Sequence, residues 1–127
     1  MNGTDPIRVS PKFRAIGETY EPQVWKHFMS SLNTGDVIAD VGAHIGLYTV
    51  ALARRLAPNG RVIAFEPHEQ NFNALTYHVK MNGVRTVVET VRAGSAYSTE
   101  KSRSRMTRTF KTESLLMARP IVRRFLQ

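Results

Sequence analysis

The sequence predicts an α/β fold of Rossmann-like type, with three parallel strands and flanking helices. Three observations lead there. From residue 22 to residue 91, short β-branched runs alternate with longer amphipathic or Ala/Leu-rich segments. Such alternation builds parallel sheets with right-handed crossovers. Glycine-containing breaks separate the segments at Gly35, Gly42 to Gly46, Gly60 and Gly83. Finally, 127 residues suit one domain, on the smaller side for an enzyme, and leave no room for separate cofactor and substrate domains.

The elements follow in order. Residues 1–20 read as an irregular lead-in, with Pro6, Pro11 and Gly17. From Pro22, the residues Val24, Trp25, Phe28, Met29 and Leu32 recur at helical spacing and predict one apolar face. Asn33-Thr34-Gly35-Asp36 ends that helix. Val37 to Val41 is a short apolar run suited to a strand covered on both faces. A helix over Leu47 to Ala57 follows the small-residue turn and stops at Pro58-Asn59-Gly60. Arg61 to Phe65 is the second strand. Another helix begins near His68, with Phe72, Leu75 and Val79 on one face and Gly83 just past its end. Thr86 to Val91 is the third strand. This organisation places an α/β unit at 21–93 and a basic, Ser/Thr-rich tail at 94–127.

Charge is unevenly distributed. Residues 1–84 hold 8 basic and 7 acidic side chains, whereas residues 85–127 hold 10 and 3. The basicity therefore belongs to the C-terminal third. Residues 95–114 carry nine Ser or Thr with Lys101, Arg103, Arg105, Arg108 and Lys111. That composition buries little apolar surface and reads as irregular or disordered. The last apolar residues, Leu115 to Met117 and Ile121 to Leu126, read as a short helix broken at Pro120. No cysteine is present, which excludes disulfides, thiolate metal sites and a cysteine nucleophile. The start lacks a basic region followed by an apolar one. Leu47 to Ala53, the most apolar segment, falls far short of the roughly 20 residues that span a bilayer. A cytoplasmic chain without a membrane partner is the expectation.

The informative stretch is Asp40-Val41-Gly42-Ala43-His44-Ile45-Gly46. A strand ends in an acid, a glycine turn follows, and a helix begins. Glycine permits a sharp turn and close approach of a ligand to the main chain. The helix N-terminus offers free N–H donors. Open α/β sheets bind ligands at this place, beyond the carboxyl ends of their strands. Glu66 follows the second strand, twenty residues after Gly46, where a carboxylate can accept both hydroxyls of a ribose. Dinucleotides and S-adenosylmethionine both use this geometry. The dinucleotide fingerprint needs G-x-G-x-x-G, but here Ala43, His44 and Ile45 separate two glycines. Asp40 would repel a pyrophosphate and suits a ligand with a cationic amino-acid end. The residues thus favour S-adenosylmethionine, with a nicotinamide-dependent Rossmann oxidoreductase fragment as the alternative.

Gly35 to Thr49, then Gly60 to His68, resemble the FkbM family of S-adenosylmethionine-dependent methyltransferases. Tyr20-Glu21-Pro22, Phe72, Leu75, Asn82 and Gly83 continue the likeness, which covers roughly residues 18–92. The resemblance implies a class I methyltransferase fold and methyl transfer to an oxygen of a sugar or other small or glycan-like acceptor. By position, it implies Asp40, Gly42, Ala43 and Gly46 around the methionine end, and Glu66 on the ribose. Pro67 and His68 would lie near the adenine, while Tyr20 and Glu21 would close over the cofactor. His44 stands where the family usually has Asn; both donate hydrogen bonds. The family sheet runs 3-2-1-4-5-7-6, and this chain supplies strands 1 to 3 with no candidate for strand 4. The acid expected after the third strand is replaced by Ala93-Gly94-Ser95-Ala96. A truncated gene product is the corresponding expectation, and no catalytic residue is identifiable. The unpaired edge of strand 1 would invite self-association, unless Leu115 to Leu126 covers it.

Simpler readings account for the remaining residues. His44, His68 and His78 match no metal-ligand spacing, and His78 reads as part of a solvated helix face. Trp25 and Phe28 read as core rather than as adenine stackers, and Asp36 as a turn residue. The basic stretch from Lys101 to Lys111 is flanked or interleaved only by Tyr97 and Phe110 as aromatics within residues 95–114. This argues against a non-catalytic nucleic-acid-binding module, the third reading.

Overall fold

A computed structural model of the chain describes residues 6–16, 22–93 and 121–124. Its centre is a four-stranded, all-parallel sheet of order β3-β2-β1-β4. The strands are β1 (Val37–Val41), β2 (Arg61–Phe65), β3 (Val88–Val91) and β4 (Ile121–Arg124). Three helices belong to it: α1 (Pro22–Ser30), α2 (Leu47–Leu56) and α3 (Glu69–Met81). A short 3-10 helix covers Pro11–Ile16.

The helix α1 begins on proline, whose missing N–H costs nothing in a first helical turn. Trp25, Phe28 and Met29 are buried at i, i+3 and i+4, and Leu32 packs partly against the same core. Trp25 and Phe28 are thus core residues, with ring centroids 4.8 and 6.2 Å from that of Tyr48. Val24 departs from the expected apolar face and is 46% exposed. It lies about 100° around the helix from Trp25, on the solvent side.

Ile38 pairs with Val62 and Asp40 with Ala64, so these four residues share one face of the sheet. All are buried. Ile38, Val62 and Ala64 join Val50, Leu52, Leu75 and Val79 from α2 and α3 in the core. On the other face, Val37, Ala39, Val41 and Phe65 are only half-buried. The expectation that β1 is covered on both faces therefore holds fully for one. Strands advance in one direction from β1 to β3, and right-handed crossovers then place both helices on the same side.

The end of α3 follows its glycine signal. Gly83 has φ 70°, Val84 N–H donates to Val79 O, and Gly83 N–H donates to Lys80 O. Those two bonds form a Schellman closure, which a left-handed glycine makes accessible.

Two expectations are corrected. Residues 121–124, read from sequence as part of a short helix, form a strand. Ile121 pairs with Ile38 and Arg124 with Val41. Pro120 cannot continue a helix, and the apolar edge of β1 provides unsatisfied backbone partners. The same pairing supplies the fourth strand for which the sequence offered no candidate. It also occupies the β1 edge on which the expected self-association rested. Residues 94–120 and 125–127, the rest of the tail, lie outside the described residues. Among the described residues, no helix is long and apolar enough to cross a membrane.

Candidate cofactor site

Chain direction across the sheet locates the site. From β1 the order runs one way to β2 and β3, and the other way to β4. The carboxyl end of β1 is therefore a topological switch point, where open α/β sheets leave a crevice. Asp40 lies at that end, and the turn to α2 begins immediately after it.

The turn is stabilised by main-chain bonds. Gly42 and Ala43 N–H groups donate to Phe65 O at 2.9 and 3.0 Å, tying the turn to the end of β2. Gly42, His44 and Gly46 all have positive φ, at 78°, 53° and 91°. The two glycines play different roles. Among the described residues, a Cβ on Gly42 would meet nothing within 4 Å, whereas one on Gly46 would lie 2.7 Å from Leu75 Cδ1. Gly42 is thus the exposed, open position a ligand can approach, while Gly46 allows α3 to pack closely. Ala43 is 7% exposed, and His44 lies on the surface. Gly46, at the N-cap of α2, supplies no side-chain capping bond.

Two buried carboxylates flank the turn. Asp40 is 2% exposed and accepts the Thr49 hydroxyl at 2.5 Å on Oδ2. Burial pushes its carboxyl up to about 6; the Thr49 hydrogen bond opposes this and Glu66 adds to it. A buried carboxylate near a second one is a strong attractor for a cation. Glu66 is 5% exposed. Its Oε2 accepts His44 N–H at 2.8 Å, and its Oε1 accepts His68 N–H at 2.9 Å. Glu66 therefore joins the loop after β1 to the loop after β2. Each oxygen retains a lone pair for a further donor, so this anchoring is compatible with the expected ribose contact. Pro67 and His68 are exposed at the rim, and His68 occupies the N-cap of α3 without a side-chain capping bond. Asp40, Gly42, Ala43, His44, Glu66, Pro67 and His68 thus gather around one turn. Gly46 lies behind it, against α3. Tyr20 and Glu21 lie outside the described residues.

Sequence reasoning missed two participants. Thr49 is fully buried and bonded to Asp40; its signal is a hydroxyl inside the Leu47 to Ala53 apolar run. His78, expected on a solvated face, is 1% exposed. The solvent position is taken by its neighbour Tyr77, at 52%. Among the described residues, no group of three or more His, Asp or Glu is placed to hold a metal.

Fold and site together define an open, parallel α/β sheet with a glycine turn and two buried carboxylates gathered at the carboxyl ends of β1 and β2. The chain belongs to the FkbM methyltransferase family, whose domain model matches residues 40–122. That match extends to Val122, well past residue 92, where the resemblance read from sequence ends. A search of curated proteins found no match. Solved structures with a similar fold include a precorrin-6y C5,15-methyltransferase from Geobacter metallireducens. It is 24% identical with TM-score 0.53, over 71% of this chain and 45% of that one. An RNA methyltransferase from Salinibacter ruber, in complex with S-adenosyl-L-homocysteine, is 21% identical with TM-score 0.53, over 63% and 52%. An S-adenosylmethionine-dependent O-methyltransferase from Thermotoga maritima is 22% identical with TM-score 0.53, over 79% and 34%. The chain spans between about a third and a half of the length of these structures.

Proposed function

We propose that this chain binds S-adenosylmethionine at the carboxyl ends of β1 and β2, and contributes that site to O-methylation of a sugar or small glycan-like hydroxyl. The observation that carries the cofactor reading is Asp40. It is a buried carboxylate bonded to the Thr49 hydroxyl, beside a glycine with open space above it among the described residues. This arrangement suits a ligand that brings a positive charge and needs close access to the main chain. It suits a pyrophosphate poorly, which argues against the nicotinamide alternative.

The residues fit the cofactor in parts. Asp40 and the Gly42–Ala43 turn would hold the amino-acid end. Glu66, already oriented by the His44 and His68 amides, would accept the ribose hydroxyls. Pro67 and His68 would border the adenine. When bound, S-adenosylmethionine supplies a sulfonium methyl to the acceptor oxygen, and the acceptor hydroxyl loses its proton. What these residues contribute is alignment, which can account for much of a methyl-transfer barrier. Family membership supports the reaction class. The choice of a sugar-like acceptor rests on the FkbM resemblance alone, since similar folds serve proteins named for RNA and for precorrin.

Titration calorimetry of the chain with S-adenosylhomocysteine and with NAD tests the cofactor. Saturable binding of the first and none of the second is the expected result, and the reverse would overturn the reading. Transfer of label from methyl-labelled S-adenosylmethionine to a panel of sugars, and to RNA as a contrast, tests the acceptor.

A further inference from the structure

His78 is a fully buried titratable side chain to which the cofactor reading gives no task. It projects from α3 and is held at both ring nitrogens. Nδ1 lies 2.7 Å from Ile45 O, inside the cofactor turn. Nε2 lies 2.9 Å from the backbone nitrogen of Ser10. A backbone nitrogen only donates, so Nε2 accepts and the ring proton sits on Nδ1, from which it is donated to Ile45 O. The bond matters because Ile45 is fully buried, and an unpaired buried carbonyl is costly.

The segment that holds Nε2 is itself firmly placed. Arg8 N–H donates to Asn82 Oδ1, and Asn82 Nδ2 donates to Arg8 O, each at 2.8 Å. The Arg54 guanidinium donates to Pro6 O and, at 3.0 Å, to Asn82 Oδ1. Asn82 thus pairs with the extended segment as a neighbouring peptide group would. Phe13 then sets its ring edge-on against the His78 ring, with centroids 5.7 Å apart.

We propose that His78 is a positioning residue for the cofactor turn, and that the Pro6 to Ser10 segment sets its tautomer. Ser10 N–H claims Nε2, the proton is confined to Nδ1, and the Ile45 carbonyl is thereby anchored between His44 and Gly46. Histidines that ligate metals are fixed in the same manner by the partner of their second nitrogen. The significance of the turn for ligand binding rests on the S-adenosylmethionine reading; the link from Ser10 to Ile45 does not.

Two substitutions separate the ends of this link. The Asn amide lies where Nδ1 does, so His78→Asn keeps a donor for Ile45 and loses Ser10. Gln reaches the Nε2 position, so His78→Gln keeps an acceptor for Ser10 and loses Ile45. Amide hydrogen exchange at Gly46, which donates to Ala43 O, reads the turn. Titration with S-adenosylhomocysteine reads the site. His78→Gln is expected to accelerate Gly46 exchange and weaken S-adenosylhomocysteine by about tenfold, the size of one lost buried hydrogen bond. His78→Asn should leave both near wild type and accelerate exchange at Ser10. Equal losses in both variants would mean a general structural role and overturn the proposal. If the wild-type chain does not bind S-adenosylhomocysteine, the cofactor reading fails, and the Gly46 exchange split alone decides the role of His78. Should His78→Gln not fold, Ser10→Pro, which removes the amide hydrogen, provides the decision. The His78 tautomer, read by long-range nitrogen–proton correlations, should then lose its fixed Nδ1–H form and Gly46 should exchange faster. An unchanged tautomer and exchange rate overturn the proposal.

Discussion

Replacing Asp40 by Asn should stabilise the ligand-free chain at neutral pH while impairing its site. Burial raises the Asp40 carboxyl from 3.8 to about 6, so the folded state holds a proton that the unfolded state has released. Stability then falls as pH rises between those two values, because the native state binds more protons there. A shift from 3.8 to about 6 corresponds to about 3 kcal/mol, at about 1.4 kcal/mol per pKa unit. The Asn side chain carries no charge to desolvate and can still accept the Thr49 hydroxyl. Its NH2 group needs an acceptor of its own, which offsets part of the gain. Urea unfolding of both proteins at pH 4 and pH 7.5 measures the effect. We expect Asp40→Asn to match wild type at pH 4 and to exceed it by about 1–3 kcal/mol at pH 7.5. Titration with S-adenosylhomocysteine should show affinity at least about tenfold weaker, since a charge facing the ligand's ammonium is lost. A stability difference of the same size at both pH values would refute the electrostatic reasoning. Unchanged affinity would refute the assignment of Asp40 to the cationic end.

Other substitutions probe the rest of the site. Thr49→Val removes a hydrogen bond that favours ionised Asp40; its destabilisation by urea should be larger at pH 7.5 than at pH 4. Gly46→Ala places a Cβ against Leu75 at a left-handed φ and should cost about 2–4 kcal/mol from backbone strain and overpacking together. Gly42→Ala meets no atom, so its stability cost should be confined to about 1–2 kcal/mol of backbone strain, and its greater effect should appear in S-adenosylhomocysteine affinity. Glu66→Gln turns an amide NH2 toward one of two N–H donors; thermal melts should show a loss of about 2 kcal/mol, with weaker S-adenosylhomocysteine binding by calorimetry.

Much of the fold was legible because its signals are local. The 3.6-residue spacing of Trp25, Phe28 and Met29 encodes the buried side of α1, and Gly83 encodes the end of α3. Val24 misled because apolar character alone does not specify an angle around a helix. The core of the site was legible for a similar reason. Asp40, Gly42 and Gly46 lie within seven residues, and Glu66 follows the next strand. His78 was not legible, since its partners, Ser10 and Ile45, lie 68 and 33 residues away. Nothing in a helical repeat distinguishes a histidine facing solvent from one bonded at both nitrogens.

The sequence by itself determined the strand–helix alternation, the turn after β1 and the placement of carboxylates at two strand ends. Each follows from backbone preferences and side-chain periodicity over a few residues. Only the tertiary structure decided that Ile121–Arg124 joins β1. That strand converts the end of β1 from a sheet edge into a switch point beside Asp40. It also showed that Gly42 and Gly46, alike in sequence and in φ, face open space and Leu75 respectively. A local motif specifies which conformations the chain can adopt. What surrounds a residue depends on segments far away in sequence, brought near by pairing and burial.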